Sequence, residues 1–227
     1  MPREAFEREL QHLEEEMLVL ASMVEQAITK SVDSLRDQDL DSARRLVEAD
    51  EAINEKRFDI EEECMIAIAT QQPMASDLRI LAAILHITTE LERMGDYAKG
   101  IARITQMIGK DPLVKPLIDI PRMAEQARLM LHQAMEAFIQ RDVERAKVIP
   151  DQDDLVDELY NQVYRELMTF VLKDPKNIDQ ANFLLWAAHN LERTADRVTN
   201  ICERVIFMVT GRMKEIASDD SGLESLT

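Results

Sequence analysis

The sequence predicts an all-α fold of two tandem, sequence-related, antiparallel three-helix bundles, with six long helices in all. Three observations support this prediction. Helix breakers are rare, since the 227 residues include only 5 Gly and 7 Pro, and aromatic residues make up 4% of the chain. Apolar residues recur at three- and four-residue steps along extended stretches, as they do on one face of a helix. The pattern of the first half also returns in the second half.

The first bundle is divided into helices by an acidic turn and a proline. The break at Asp37-Gln38-Asp39 ends the first helix, and Asp39 or Asp41 is suited to cap the second. Pro73 stops the second helix, because a proline disfavours helical backbone in the residue before it. The expected bounds of the three helices are residues 4–36, about 39–72 and about 75–109.

A proline-rich stretch, KDPLVKPLIDIP, separates the two halves. Beyond it, Arg141-Asp142 marks a turn and Lys173-Asp174-Pro175 a second break, while Pro150 is expected to kink the helix between them. The expected bounds of these later helices are about 116 or 121 to 140, 142–173 and about 178–211. The predicted domains are a first bundle at 1–110, a linker at 111–120, a second bundle at 121–213 and a disordered tail at 214–227.

An internal repeat relates the two halves. LERMGDY at 91–97 and LERTADR at 191–197 share Leu, Glu, Arg and Asp at an offset of 100 residues. Upstream of the turn that precedes each motif the offset is 103, as between Asp50 and Asp153. Because only two copies exist, the repeat indicates a duplicated unit rather than a solenoid.

Composition excludes several classes of function. The net charge of −17 disfavours binding to nucleic acid or to anionic lipid, and favours cations and basic protein partners. The charged N-terminus lacks the apolar core of a signal peptide, and no apolar run approaches the ~20 residues of a membrane span. Cys64 and Cys202 are expected to be buried free thiols. Trp186, within the apolar LLWAA, is expected in the core.

The repeated motif contains acidic residues four positions apart. Residues at this spacing share one face of a helix, with about 5–6 Å between their Cβ atoms. The second helix of each half carries a similar pair, so that each half offers two pairs on neighbouring helices. The eight candidate metal-ligating residues are Asp50, Asn54, Glu92, Asp96, Asp153, Asp157, Glu192 and Asp196.

Counting from the turns indicates that the pairs of each half meet. Asn54 and Glu92 each lie 19 residues from Pro73. Asp157 and Glu192 lie 18 and 17 residues from the proline of their own turn. Antiparallel neighbours joined by a short turn therefore hold the two pairs at one height in both halves.

Carboxylates crowded at one height repel each other, and a bound cation relieves that repulsion. Oxygen ligands suit Mg²⁺, Ca²⁺ and Mn²⁺, and iron and zinc also accept carboxylates. His189 precedes Glu192 by one turn, whereas its counterpart in the first half is Thr89, so the two sites are expected to differ. The simpler alternative is a solvated acidic face whose carboxylates pair with Arg193 or Arg197.

No catalytic constellation is evident in the sequence. It contains no Gly-rich phosphate loop, Cys-x-x-Cys pair or Ser nucleophile elbow. The only match to the Glu-x-x-His motif of di-iron bundles, Glu9-x-x-His12, has no second copy. We therefore expect a protein that is not an enzyme. A carboxylate-bridged metalloenzyme, such as a phosphohydrolase or an oxidase, is the alternative, and a purely structural bundle without metal is a third.

Three stretches resemble the PhoU family, the phosphate-uptake regulators of bacteria. They are ATQQPMASDLRILAAI at 69–84, LERMGDYAKGIA at 91–102 and NLERTADRVTNICERV at 190–205. The resemblance extends from about residue 5 to 212 and includes the tandem three-helix arrangement. It implies a cytoplasmic protein, often a homodimer, that reaches the membrane only through its partners.

The resemblance also implies a metal-binding regulator. In that family (Glu/Asp)-x-x-x-Asp motifs hold metal clusters, and here these motifs are Glu92/Asp96 and Glu192/Asp196, completed by Asp50/Asn54 and Asp153/Asp157. Iron, zinc, magnesium, nickel or manganese are the implied metals. The implied role is to repress the phosphate-starvation response by linking the ATPase subunit of the phosphate ABC transporter to a phosphate-sensing histidine kinase. Asn54 departs from the motif, since a carboxylate there would strengthen the first site.

Overall fold

Seven α-helices account for nearly all of the chain in the computed structural model, which describes residues 2–213, 215 and 216. The helices are α1 Pro2–Asp37, α2 Leu40–Gln71, α3 Ala75–Ile108, α4 Asp119–Gln140, α5 Val143–Val148, α6 Asp153–Lys173 and α7 Ile178–Thr210. Short 3-10 turns at Pro150–Gln152 and Pro175–Asn177 precede α6 and α7. No strand occurs within these described residues, so the all-α prediction is confirmed.

The helix ends follow the predicted breakers. Asp39 rather than Asp41 caps α2, because its carboxylate accepts the backbone N–H groups of Asp41 and Ser42 at 3.1 and 2.9 Å. Gly109, at φ 69°, follows α3 in a conformation that only glycine adopts without strain. The helix predicted at 142–173 is broken near Pro150 into α5 and α6, as a proline inside a helical pattern leads one to expect.

Each half packs as a bundle, and the two bundles share one apolar core. Helices α1 and α2 lie against α3, while α4, α5 and α6 lie against α7. The halves join where α3 packs along α7 and α1 along α4. Glu90 bonds to Asn200, whereas Gly100 lies beside Asn190, so α3 and α7 run antiparallel. The absence of a side chain at Gly100 allows this approach, since a Cβ there would lie 3.0 Å from the Asn190 amide nitrogen.

One core prediction is wrong. Trp186 is 53% exposed, although its neighbours Leu184, Ala187 and Ala188 are fully buried. Each residue advances about 100° around the helix axis, so Trp186, two residues from both Leu184 and Ala188, lies on the opposite side of the helix from them. The apolar run LLWAA thus extends around more of the helix than the side that faces the core, and Trp186 lies on the exposed side.

Both cysteines are buried free thiols, as predicted, and burial raises their pKa to about 12. No helix in the described part of the chain is both long and apolar enough to cross a membrane. Of the predicted tail, Lys214 and residues 217–227 lie outside the described residues. The backbone N–H of Ile216 donates to Glu203 Oε1 at 2.9 Å.

Candidate functional site

The predicted residues lie on facing pairs of helices in each half. We call Asp50, Asn54, Glu92 and Asp96, on α2 and α3, the first acidic site. We call Asp153, Asp157, Glu192 and Asp196, on α6 and α7, the second acidic site. Electrostatic repulsion reaches across the helices in both sites: Asp50 acts on Glu92 in the first, and Asp157 acts on Glu192 in the second. The pairs of each half therefore lie close enough to influence each other's ionisation.

A lysine holds the first acidic site together. The Lys99 ammonium donates to Asp50 Oδ2 at 2.6 Å and to Asp96 Oδ1 at 3.4 Å, so it connects α2 to α3. Asn54 Nδ2 donates to the same Asp50 oxygen at 3.2 Å. The Asp50 side chain is only 6% exposed, and these two donors compensate for the loss of its hydration.

An arginine lies on the other side of the first acidic site. Arg57 NH1 is 3.7 Å from Glu92 Oε2, and its Nε donates to Glu61 at 2.7 Å. Burial raises the pKa of Glu92, and repulsion from Asp96 raises it further, whereas Arg57 opposes both effects. Every carboxylate of this site thus has a basic side chain within ion-pairing distance.

Close packing of α2 on α3 depends on a glycine in this site. A Cβ atom at Gly95 would lie 3.2 Å from two side-chain atoms of Ile53 and 3.9 Å from Asp50 Oδ1. The two contacts with Ile53 are tighter than ordinary van der Waals separation, whereas the distance to Asp50 is ordinary. Gly95 therefore lets α2 approach α3 closely at Ile53.

The second acidic site contains buried oxygens without donors. Asp153 Oδ1 and Glu192 Oε2 are buried and have no hydrogen-bond partner among the residues that the structure describes. Burial raises the pKa of both carboxyls to about 7. Repulsion from neighbouring carboxylates adds to both shifts. Asp157 and then Asp196 act most strongly on Asp153. Asp196 and then Asp157 act most strongly on Glu192.

Three side chains surround these carboxyls. His189 Nδ1 is 3.1 Å from Glu192 Oε2 but is not oriented to hydrogen bond with it. Arg193 NH1 is 3.3 Å from Asp196 Oδ2. The ring of Tyr160 has its centroid 6.2 Å from that of His189, and burial followed by repulsion from Glu192 raises the pKa of its hydroxyl. The sequence comparison of His189 with Thr89 predicts this difference between the halves.

The two sites differ most at two positions that are basic in the first half. At the offset of 103, Arg57 corresponds to Tyr160, and at the offset of 100, Lys99 corresponds to Thr199. Both basic side chains of the first acidic site are therefore neutral in the second. Aligning the repeats for basic as well as acidic residues would have revealed this difference.

The second acidic site borders both solvent and the junction between the halves. An open cavity of about 330 Å³ is lined by Asp153, Asp196 and Arg197, among others. Arg197 extends to α3, where its NH1 lies 3.3 Å from Glu90 Oε2. Arg193 pairs with Asp196, and Tyr97 of α3 raises the pKa of its guanidinium. A change at Asp196 can therefore reach the first half directly.

The two sites differ in how well they fit a metal ion. No three His, Cys, Asp or Glu side chains in the described residues are grouped closely enough to form a ready-made metal site. The second acidic site nevertheless offers oxygen donors of the kind that hard cations bind, two of them buried and unpartnered. The first acidic site does not fit, because Lys99 and Asn54 already donate to its most buried carboxylate.

Comparisons with known proteins agree with the two-part architecture. The PhoU domain model matches residues 17–105 and again 120–205. The phosphate-specific transport system accessory protein PhoU homolog of Aquifex aeolicus is 38% identical over 206 residues, which cover 91% of this chain and 93% of that protein. The Escherichia coli accessory protein PhoU is 32% identical over 216 residues, or 95% and 90% of the two chains.

Solved structures show the same fold. The crystal structure of the phosphate transport system regulatory protein PhoU from Streptococcus pneumoniae superposes with a TM-score of 0.85 at 30% identity, covering 92% of this chain and 99% of that one. PhoU from Pseudomonas aeruginosa superposes with a TM-score of 0.84 at 33% identity, covering 91% and 100%.

Proposed function

The chain belongs to the PhoU family, and on that premise we propose that it is a non-enzymatic accessory protein of a phosphate transport system that represses the phosphate-starvation response. It does so by linking the ATPase subunit of the phosphate ABC transporter to a phosphate-sensing histidine kinase. The names of its relatives support the accessory role, since they are called accessory or regulatory proteins of phosphate transport. The resemblance supports a cytoplasmic location for this role.

The second acidic site is the metal-binding part of this function. The observation that carries this proposal is the pair of buried, unpartnered oxygens on Asp153 and Glu192. A divalent or trivalent cation bound there would neutralise carboxyls that otherwise repel each other. Asp157 and Asp196 would complete the ligand set after small side-chain rotations. Iron, zinc, magnesium and manganese are all compatible with carboxylate ligands.

The shape and charge of the molecule suit an adaptor. Helices α1, α2, α3 and α7 each have more than 30 residues, so each provides roughly 45 Å or more of surface along which a partner can lie. The net charge of −17 favours basic surfaces on the partners. Two copies of this chain would form a homodimer most readily where the acidic sites do not face each other. Contact with the membrane occurs only through the transporter.

The adaptor proposal is tested by binding and by a cellular readout. Purified chain, with and without Mn²⁺, is passed over the immobilised ATPase subunit and over the kinase. The double variant Glu192→Gln/Asp196→Asn is compared with the matched first-site variant Glu92→Gln/Asp96→Asn. We expect both partners to bind the wild type and the second-site variant to lose repression of a phosphate-starvation reporter. Absence of binding to either partner under all conditions refutes the adaptor function.

A metalloenzyme is the second candidate. The observation in its favour is that Asp153, whose pKa is about 7, lines an open cavity, as general acids and bases do in many active sites. Glu192, whose pKa is also about 7, lies close enough to repel the Asp153 carboxylate. Hydrolysis of phosphate esters by the metal-loaded chain, lost in Glu192→Gln but not in Glu92→Gln, would favour an enzyme. Absence of turnover across a panel of phosphate esters would favour the adaptor.

A further inference from the structure

The first acidic site has the same spacing as the second but contains its own cation. We propose that Lys99 takes the position in the first half that a metal ion takes in the second, so that the first acidic site excludes metal. This inference rests on the proposed metal function only for the comparison between the halves. The contacts of Lys99 with Asp50 and Asp96 do not depend on that function.

The contacts of Lys99 are those expected of a bridging cation. A single ammonium lies within 2.6 Å of an Asp50 oxygen and 3.4 Å of an Asp96 oxygen, and these carboxylates come from different helices. Its side chain is 22% exposed and that of Asp50 only 6%, so the closer contact is shielded from solvent. A shielded ion pair is weakened little by dissolved salt and is hard for another cation to displace.

Asn54 makes the first acidic site still less suited to a metal. Its amide nitrogen donates to Asp50 Oδ2, so the donor side of the amide faces the carboxylate. The corresponding residue of the second half, Asp157, is a carboxylate. A metal ion at Asp50 would therefore meet the positive charge of an ammonium and the partial positive charge of an amide N–H hydrogen.

The charges of the two sites lead to the same conclusion. In the first acidic site three carboxylates face Lys99 and Arg57, which leaves a net charge of −1. The second acidic site has four carboxyls, and the positions of those two basic residues hold Thr199 and Tyr160. Arg193 pairs with Asp196 inside the second acidic site, whereas Arg93 pairs with Glu90 outside the first, so the second site sets one arginine against its four carboxyls. A cation is thus attracted to the second acidic site far more strongly than to the first.

The two copies of the duplicated unit consequently have different roles. In the first half the acidic motif is a structural cross-link between α2 and α3. In the second half the same motif is left open to a ligand. The chain is therefore expected to bind the metal complement of one site rather than two.

The test grafts the neutral residue of the second half into the first. The background variant Glu192→Gln/Asp196→Asn disables the second acidic site, and Mn²⁺ binding is measured by titration calorimetry and by elemental analysis after dialysis. Lys99→Thr copies Thr199, and Lys99→Arg is the matched control because it keeps the charge. We expect no detectable Mn²⁺ binding in the background or with Lys99→Arg, and one new Mn²⁺ site with Lys99→Thr, with an affinity at least about tenfold above the weakest binding that the titration detects.

Two results would overturn the inference. One is Mn²⁺ bound by the background protein with Lys99 intact and lost on adding Glu92→Gln. The other is a folded Lys99→Thr protein that gains no binding. If Lys99→Thr does not fold, Lys99→Gln removes the charge while keeping a hydrogen-bond donor, and it is judged by the same criteria. Failure of the metal function itself shows separately, as absence of Mn²⁺ binding by the wild type.

Discussion

Raising the pH should destabilise the metal-free protein through two carboxyls of the second acidic site. Asp153 and Glu192 have pKa of about 7 in the folded chain, well above the ordinary values of 3.8 and 4.5. Between these ordinary values and about 7, the folded chain therefore holds protons that the unfolded chain has lost. The free energy of unfolding consequently falls as the pH rises through this window, and it levels off once both groups are ionised in both states.

The size of the effect follows from the shifts. One pKa unit corresponds to about 1.4 kcal/mol of free energy. Two groups that each titrate about two units above pH 5 could therefore lower the free energy of unfolding by at most roughly 5 kcal/mol. The repulsion between neighbouring carboxyls is shared by the groups, and the Glu192 side chain is 23% exposed. A loss of about 2–3 kcal/mol between pH 5 and pH 8 is therefore the reasonable expectation.

Urea denaturation in the presence of a chelator, at pH values from 5 to 8, measures this loss. Other groups titrate in the same range, so the informative quantity is the difference between wild type and Asp153→Asn/Glu192→Gln. That variant should lack the decline and exceed wild type in stability at pH 8. Glu158→Gln, at an exposed position of the same helix α6, is the control and should follow wild type. Parallel curves for wild type and the double variant would refute the argument.

Three further predictions concern the packing around the sites. Lys99→Met should lower the free energy of unfolding by about 3–5 kcal/mol in urea denaturation, because it leaves Asp50 buried without its cation. Glu90→Ala should cost about 2–4 kcal/mol, since Arg197, whose side chain is only 13% exposed, loses its carboxylate; a double-mutant cycle with Arg197→Ala should reveal the coupling. Asp39→Ala should cost about 1 kcal/mol, because two N–H groups at the start of α2 lose their acceptor.

Controls for these three variants come from the same helices. Arg93→Met removes a half-exposed basic residue of α3 and should change stability by less than about 1 kcal/mol. Asp41→Ala removes the other aspartate that could have capped α2, and it should have a smaller effect than Asp39→Ala. Lys99→Met with wild-type stability would show that hydration still reaches Asp50 and that the lysine is not needed there.

Local signals in the sequence predicted the helix ends and the repeat. A proline or a capping aspartate acts through its own backbone or its nearest neighbours, so its effect needs no knowledge of the tertiary fold. The register of the acidic pairs was also predictable, since two antiparallel helices joined by a short turn leave little freedom in height. Spacing alone therefore predicts that each acidic pair faces the pair on the neighbouring helix.

The partners of those carboxylates could not be predicted in this way. Lys99 pairs with Asp50 across two helices, and such a contact depends on how far each helix is rotated about its axis. Trp186 shows the same difficulty, since a five-residue apolar run is compatible with several rotations and only the packed structure selects one. The spacing of residues along the sequence determines which residues lie at the same level of two neighbouring helices. The rotation of each helix about its own axis determines which of those residues are in contact.

Two copies of one unit can therefore have the same spacing of acidic residues and yet differ in whether those residues bind a ligand. The motif Glu-x-x-x-Asp fixes where two carboxylates stand, but the charge one turn further along the helix decides whether they need a ligand. In α3 that position holds Lys99, which satisfies Asp50 and Asp96 from within. In α7 it holds Thr199, and one oxygen each of Asp153 and Glu192 is buried without a hydrogen-bond donor from the described part of the chain. Since an unpaired buried carboxyl costs folding free energy, the chain retains in its second half a strain that a bound cation would relieve.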